Sequence, residues 1–213
     1  MDMLQLGLSG KVAVVTGGSE GLGLACVEKL SRCGARVALC ARRSDVLEAA
    51  AASVQKQTGG ELLALATDVT RPAEIEAFMS AAAARFGGID ILINNAGTSA
   101  AMAFETLDDE AFRYDFELKV MAAIRCCRLA IPHMKARGGG AIVNTSSVSA
   151  LASGFAPVAY STAKAAVLHF SKVTAADLAR HRIRVNAVVP GFIATPIFGA
   201  GFGMDRQASQ QLA

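Results

Sequence analysis

Short, continuously apolar runs recur along the chain, and a stretch of helical character follows each. Val12–Thr16, Arg36–Cys40, Leu62–Ala66, Ile89–Ile93, Ala141–Thr145 and Ile183–Val188 read as six strands. Their apolar residues do not alternate with polar ones, the pattern of strands covered on both faces. Helical segments lie between them, at about Leu22–Cys33, Ser44–Gln57, Pro72 to Gly87-Gly88, Asp108–Lys135 and Pro157–Arg180. Local punctuation agrees: Gly34 stops the first helix, Ser44 caps the second, Gly59-Gly60 breaks it, and Pro72 sits early in the third. The Asp108–Lys135 stretch leaves room for an internal break. Strands and helices in alternation predict an α/β fold, a doubly wound parallel sheet with helices on both faces.

Length and composition narrow the function classes. The 213 residues suit a single domain over 1–213 with one large core, and 53% hydrophobic against 18% charged residues excludes a disordered chain. Net charge is only +3, and the densest basic run, Arg180, His181, Arg182 and Arg184, reads as cations at a helix end, so no nucleic-acid partner is expected. The five cysteines are odd in number, and Met1–Leu8 lacks a basic region followed by an apolar core. Free thiols and a cytoplasmic location follow as expectations. Cysteine and histidine spacings match no zinc pattern, so no metal is expected, and no apolar run reaches membrane-spanning length. Cys126, Cys127, Phe78 and Phe86 read as core, Asp90 as structural, His133 as a capping or surface residue, and Asn186 and Pro190 as turn geometry.

After the first strand comes Thr16-Gly17-Gly18-Ser19-Glu20-Gly21-Leu22-Gly23. Glycines at 17, 21 and 23 allow a sharp strand-to-helix turn in which backbone approaches a pyrophosphate and helix N–H groups face it. A dinucleotide site is the favoured reading over an ordinary turn. An acidic residue at the end of the second strand would bond the adenine ribose; Ala41-Arg42-Arg43 stands there instead. Arg42 can fork onto a 2′-phosphate, which favours NADP(H) over NAD(H). Glu20 has two readings, repulsion of that phosphate or pairing with Arg43.

Tyr160 and Lys164 stand four residues apart in the last helix and share a face. An ammonium near a phenol favours phenolate, so Tyr160 is expected to have a lowered pKa and to serve as general acid/base. Ser147, just past the fifth strand, can bond the same substrate oxygen.

With these motifs in order, the sequence resembles the short-chain dehydrogenase/reductase family, including its 3-oxoacyl-carrier-protein reductase-like members. The resemblance runs from about Lys11 to Pro196 through Thr16–Gly23, Asp68-Val69, Asn94-Asn95-Ala96-Gly97, Ser147, Tyr160–Lys164, and Pro190-Gly191 with Thr195. It implies a sheet of order 3-2-1-4-5-6-7. It implies that Gly17, Ser19 and Leu22 contact the cofactor through the turn that also holds Glu20 and Gly21. Asp68 and Val69 would hold the adenine, with Arg42 and Arg43 beside it. Asn95 would lie against ribose and nicotinamide, and Ile193 and Thr195 would orient the carboxamide. Tyr160 would exchange a proton with the substrate oxygen, Lys164 would bind the nicotinamide ribose and tune Tyr160, and Ser147 would steady the carbonyl. The implied activity is NADP(H)-dependent interconversion of a ketone and a secondary alcohol. A small or medium ketone, a 3-oxoacyl thioester and a cyclic alcohol all remain open as substrates. Small apolar residues at Ala100–Phe104, Ile197 and Phe198 point to an apolar one. Family members commonly form dimers or tetramers by packing their two long helices against copies, so a symmetric homo-oligomer is expected.

Two departures stand out. The position of an asparagine found in many members falls on Lys119, which either disturbs the site, by rerouting protons or repelling Lys164, or points to solvent. The chain ends at Ala213, so the family's seventh strand is expected to be missing, with the C-terminal end incomplete from about 197. Together these support an alternative reading as a non-catalytic dinucleotide-binding sensor or scaffold, which the whole Ser-Tyr-Lys set opposes.

Overall fold

A computed structural model describes residues 6–98 and 102–195. Six parallel strands, β1 (Val12–Thr16), β2 (Arg36–Ala41), β3 (Leu62–Ala66), β4 (Ile91–Asn94), β5 (Gly140–Thr145) and β6 (Ile183–Val188), lie in the order β3-β2-β1-β4-β5-β6. Helices α1 (Gly21–Arg32), α2 (Ser44–Thr58), α3 (Pro72–Phe86), α4 (Asp109–Phe116), α5 (Ala122–Ala136) and α6 (Val158–Leu178) connect them. This is the doubly wound arrangement that the alternation predicts.

The continuous apolar runs are explained by two cores, one on each face. Val12 and Val14 point to one side, where Phe78, Met79 and Phe86 of α3 and Cys126, Cys127 and Met134 of α5 pack on them. Ala13 and Val15 point to the other, against Val27 of α1 and Leu47 and Val54 of α2. Since successive strand residues face opposite ways, every residue of β1 is buried.

Element boundaries differ from the sequence reading for local reasons. β4 begins at Ile91 rather than Ile89; just ahead of it Asp90 bonds Val12 O and Ala141 N through its backbone, while its carboxylate accepts from Val12 N at 2.9 Å and Arg137 Nε at 2.9 Å. Ser44 does not cap α2 but is its first residue, and its hydroxyl donates to Glu48 instead. Asp108 does cap α4, accepting from Ala111 N at 2.7 Å. The Asp108–Lys135 stretch has no break; α4 runs into α5 through a π-helical turn at Glu117–Met121. Such turns insert a residue into the helical ladder and often mark functional positions. α6 is shorter than predicted and closes in a 3₁₀ turn, Ala179–His181. The expectation that a seventh strand is missing falls on residues outside the described ones, as do the glycine-rich tail, Ala100, Ala101, Ile197 and Phe198. No described helix is long and apolar enough to cross a membrane, and no group of metal-binding side chains occurs among the described residues.

Candidate active site

The C-terminal ends of β1, β2, β4 and β5 open onto one cleft of about 700 Å³, the position where α/β sheets bind ligands. Of the predicted residues, Gly17, Ser19, Glu20, Gly21, Leu22, Arg42, Arg43, Val69, Asn95, Ser147, Tyr160, Lys164, Ile193 and Thr195 all line it. Asp68 does not. Its carboxylate turns away to accept from the Thr70 N–H at 2.9 Å and hydroxyl at 2.7 Å. Burial opposes ionisation of Asp68, but these bonds and the nearby Arg42 and Arg71 outweigh it and hold its pKa low.

At one end the glycine turn requires its glycines. Gly17 has φ +65°, and a Cβ on Gly23 would sit 2.0 Å from the Gly17 carbonyl oxygen. Asn95 locks this packing by donating to Thr16 O at 3.2 Å and Gly17 O at 3.0 Å. No side chain caps α1, so its first N–H groups stay available at the cleft. Backbone proximity, open donors and adjacent arginines fit a dinucleotide's pyrophosphate. Of the two readings of Glu20, pairing holds: its carboxylate is ion-paired with Arg43. Arg42 donates to the Tyr114 hydroxyl at 3.2 Å.

At the other end, Tyr160 and Lys164 occupy successive turns of α6. Ser146, at the exit of β5, donates to the Lys164 carbonyl at 2.8 Å and fixes the helix to the sheet. Lys164 Nζ donates to Thr145 O at 2.6 Å. Ser147 hydrogen-bonds Tyr160 and accepts from the Ser149 hydroxyl at 3.1 Å. The expected lowering of the Tyr160 pKa is not found. Burial raises it, Asp115 adds to the rise, and the Ser147 bond opposes it only in part. Lys164 gives less help than expected, because burial and the charge of Lys119 bring its own pKa down to about 7.

Lys119 does not point to solvent. Its side chain is fully buried and ion-paired with Asp115 one helical turn away. Cys40, Thr67, Phe155 and Phe192, which sequence reasoning passed over, also line the cleft, as does Pro190. Pro190, assigned to turn geometry, does serve the turn as well, its carbonyl accepting from Val148 N at 3.0 Å. Asp115 was also passed over, though its spacing from Lys119 is that of a helical ion pair.

Known proteins share this design. The family model for short chain dehydrogenase matches residues 11–203. The 2-(R)-hydroxypropyl-CoM dehydrogenase of Xanthobacter autotrophicus is 37% identical over 190 residues, covering 88% of this chain and 76% of that protein. The cis-4-hydroxycyclohexanecarboxylate dehydrogenase of Sinomonas cyclohexanicum is 38% identical over 202 residues, covering 93% and 79%. Among solved structures, L-sorbose reductase from Gluconobacter frateurii, complexed with NADPH and L-sorbose, superposes with a TM-score of 0.88 at 42% identity, covering 91% of this chain and 73% of that one. A family match across most of the sequence, with relatives this similar over three quarters of their length, makes the chain a member of the short-chain dehydrogenase/reductase family, oxidoreductases that act on alcohols and their carbonyl counterparts.

Proposed function

We propose that this chain is an NADP(H)-dependent oxidoreductase that interconverts a ketone and a secondary alcohol, with Tyr160 as general acid/base. The observation that carries the reading is one cleft holding, at opposite ends, the Arg42–Arg43 and glycine-turn cradle and the Ser147–Tyr160–Lys164 set. The arginines favour the 2′-phosphate, and the NADPH in the L-sorbose reductase structure agrees with that choice. A bound nicotinamide would supply or accept the hydride.

The chain's own part is to place the substrate and handle its proton. Ser147 holds the substrate oxygen beside Tyr160. In reduction the Tyr160 phenol gives its proton to the oxygen of the former carbonyl as the C–H bond forms. In oxidation the phenolate takes the hydroxyl proton as hydride leaves. Burial keeps Tyr160 protonated at neutral pH, so reduction is the direction served there, and oxidation speeds up as alkali removes that proton.

At the substrate end Phe155 and Phe192 meet edge to face, 6.0 Å apart, with Val148 and Ile193 nearby. This wall supports an apolar substrate. Names of the relatives span a hydroxypropyl-CoM, a hydroxycyclohexanecarboxylate and L-sorbose, so they do not choose one. A homodimer or homotetramer packed through α4–α5 and α6 is part of the same reading, and a monomeric mass by light scattering would remove it.

Tyr160→Phe tests the mechanism. Turnover of a ketone panel is expected to fall at least about 100-fold while NADPH binding stays within about twofold. Undiminished turnover would reject Tyr160 as the proton carrier.

A further inference from the structure

Two buried cations flank one aromatic ring. Lys119 Nζ lies 5.2 Å and Lys164 Nζ 5.6 Å from the centre of the Tyr160 ring. They arrive from different elements, Lys119 from the π-helical turn and Lys164 from α6. A small pocket of about 10 Å³ is lined by both lysines with Thr16, Asn94 and Thr145. No carboxylate lines it among the described residues. Among the described residues Lys164 donates to the Thr145 backbone carbonyl, whereas Lys119 has the Asp115 carboxylate.

A lysine this buried would ordinarily lose its proton. Asp115, itself buried, opposes that loss through its ion pair with Lys119, although burial still leaves the Lys119 pKa lowered. The opening admits about one water, to which either ammonium can donate and which can donate to Asn94 Oδ1, an acceptor with no partner among the described residues.

We propose that Asp115 and Lys119 form a positioning pair, a buried fixed charge that sets how readily the facing Lys164 gives up its proton. This rests on the reading of Tyr160 and Lys164 as the reactive pair, but its test does not. The titratable groups facing Lys164 are few. Lys119 and Cys126 line the cavity from the π-helical turn and α5, Asp115 stands behind Lys119 on α4, and Tyr160 lies one turn back on α6. Strands β1, β4 and β5 contribute only the uncharged Thr16, Asn94 and Thr145. The low proton affinity of Lys164 comes first from burial and then from the charge of Lys119, which Asp115 opposes, and this agrees with the geometry.

The test is a pH titration of Lys164 by its side-chain carbon–nitrogen NMR correlation in lysine-labelled protein, assigned with Lys164→Met and run without cofactor or substrate. The native protein is expected to titrate near 7. Asp115→Asn combined with Lys119→Gln removes both charges at similar volume and is expected to raise the midpoint by about one pH unit or more. Lys119→Arg keeps the charge and is expected to keep the near-neutral midpoint. If the neutral variant fails to fold, Asp115→Leu with Lys119→Met makes the same comparison in an apolar form. The proposal is overturned if a neutralised variant titrates like the native protein, or if Lys119→Arg shifts as far as the neutral pair. Because no turnover is measured, a wrong assignment of the reaction cannot produce either result.

Discussion

Single charges at the mouth of the cleft are expected to govern which dinucleotide it favours. Arg42 is oriented by the Tyr114 hydroxyl, while Arg43 is held by Glu20. A 2′-phosphate arriving there must compete with the Glu20 carboxylate for Arg43. Glu20→Gln is therefore expected to tighten NADPH several-fold while leaving NADH nearly unchanged, and Arg42→Ala to weaken NADPH about tenfold, each read as Kd by cofactor fluorescence. Equal effects on both cofactors would mean that neither residue senses the 2′-phosphate. Arg42 and Arg43 were legible in the sequence because two adjacent cations after a strand have a recognisable electrostatic consequence. Their partners were less so. Tyr114 is 72 residues from Arg42 along the chain, and only the docking of α4 beside the β2 end brings them together. The sign of the Tyr160 shift was misread for a related reason. Spacing on α6 shows that an ammonium is near, but not that it is buried, bonded to Thr145 O and depressed by a second lysine.

The strand-to-helix units carry the cofactor end, and their glycines are close-packing residues as much as turn residues. Gly23→Ala would drive a methyl group into the Gly17 carbonyl. Dinucleotide binding is expected to be lost while the circular dichroism spectrum of the other helices is retained; wild-type affinity would show that the turn does not carry the cofactor. Element type followed from periodicity because both cores demand continuous apolar strands. Boundaries followed less well where a side chain joins the ladder, as the Asp90 carboxylate does in accepting from Val12 N ahead of β4. The π-helical turn at Glu117–Met121 left no mark in the apolar pattern. It is the docking of this turn against α6, with Val120 packed on Ala163 and Val167, that carries Lys119 to Tyr160.

Across the whole molecule, the buried ionisable groups predict an unusual stability profile. Lys164 has a folded pKa of about 7, below its ordinary 10.5, and Lys119 is shifted the same way. The unfolded chain thus binds more protons above neutrality, so these groups make stability rise with pH from about 7. Cys40 and Cys127 are pushed up from 9.0 to about 12 by burial, and Tyr160 is raised as well. Here the folded chain holds more protons, so stability falls as pH climbs past 9. Urea unfolding of the free protein is expected to give a maximum on the alkaline side of neutrality; a steady decline from neutral pH would show that the lysines are not held as described. The same burial predicts that Cys40, Cys126 and Cys127 resist thiol reagents until the protein unfolds.

The central claim is that one cleft binds NADP(H) and delivers it to Tyr160. Separate titrations of NADPH and NADH into the protein, followed by nucleotide fluorescence, test it most directly. Saturable binding with NADPH clearly tighter than NADH is the predicted result. Failure to bind either, or a preference for NADH, would contradict it.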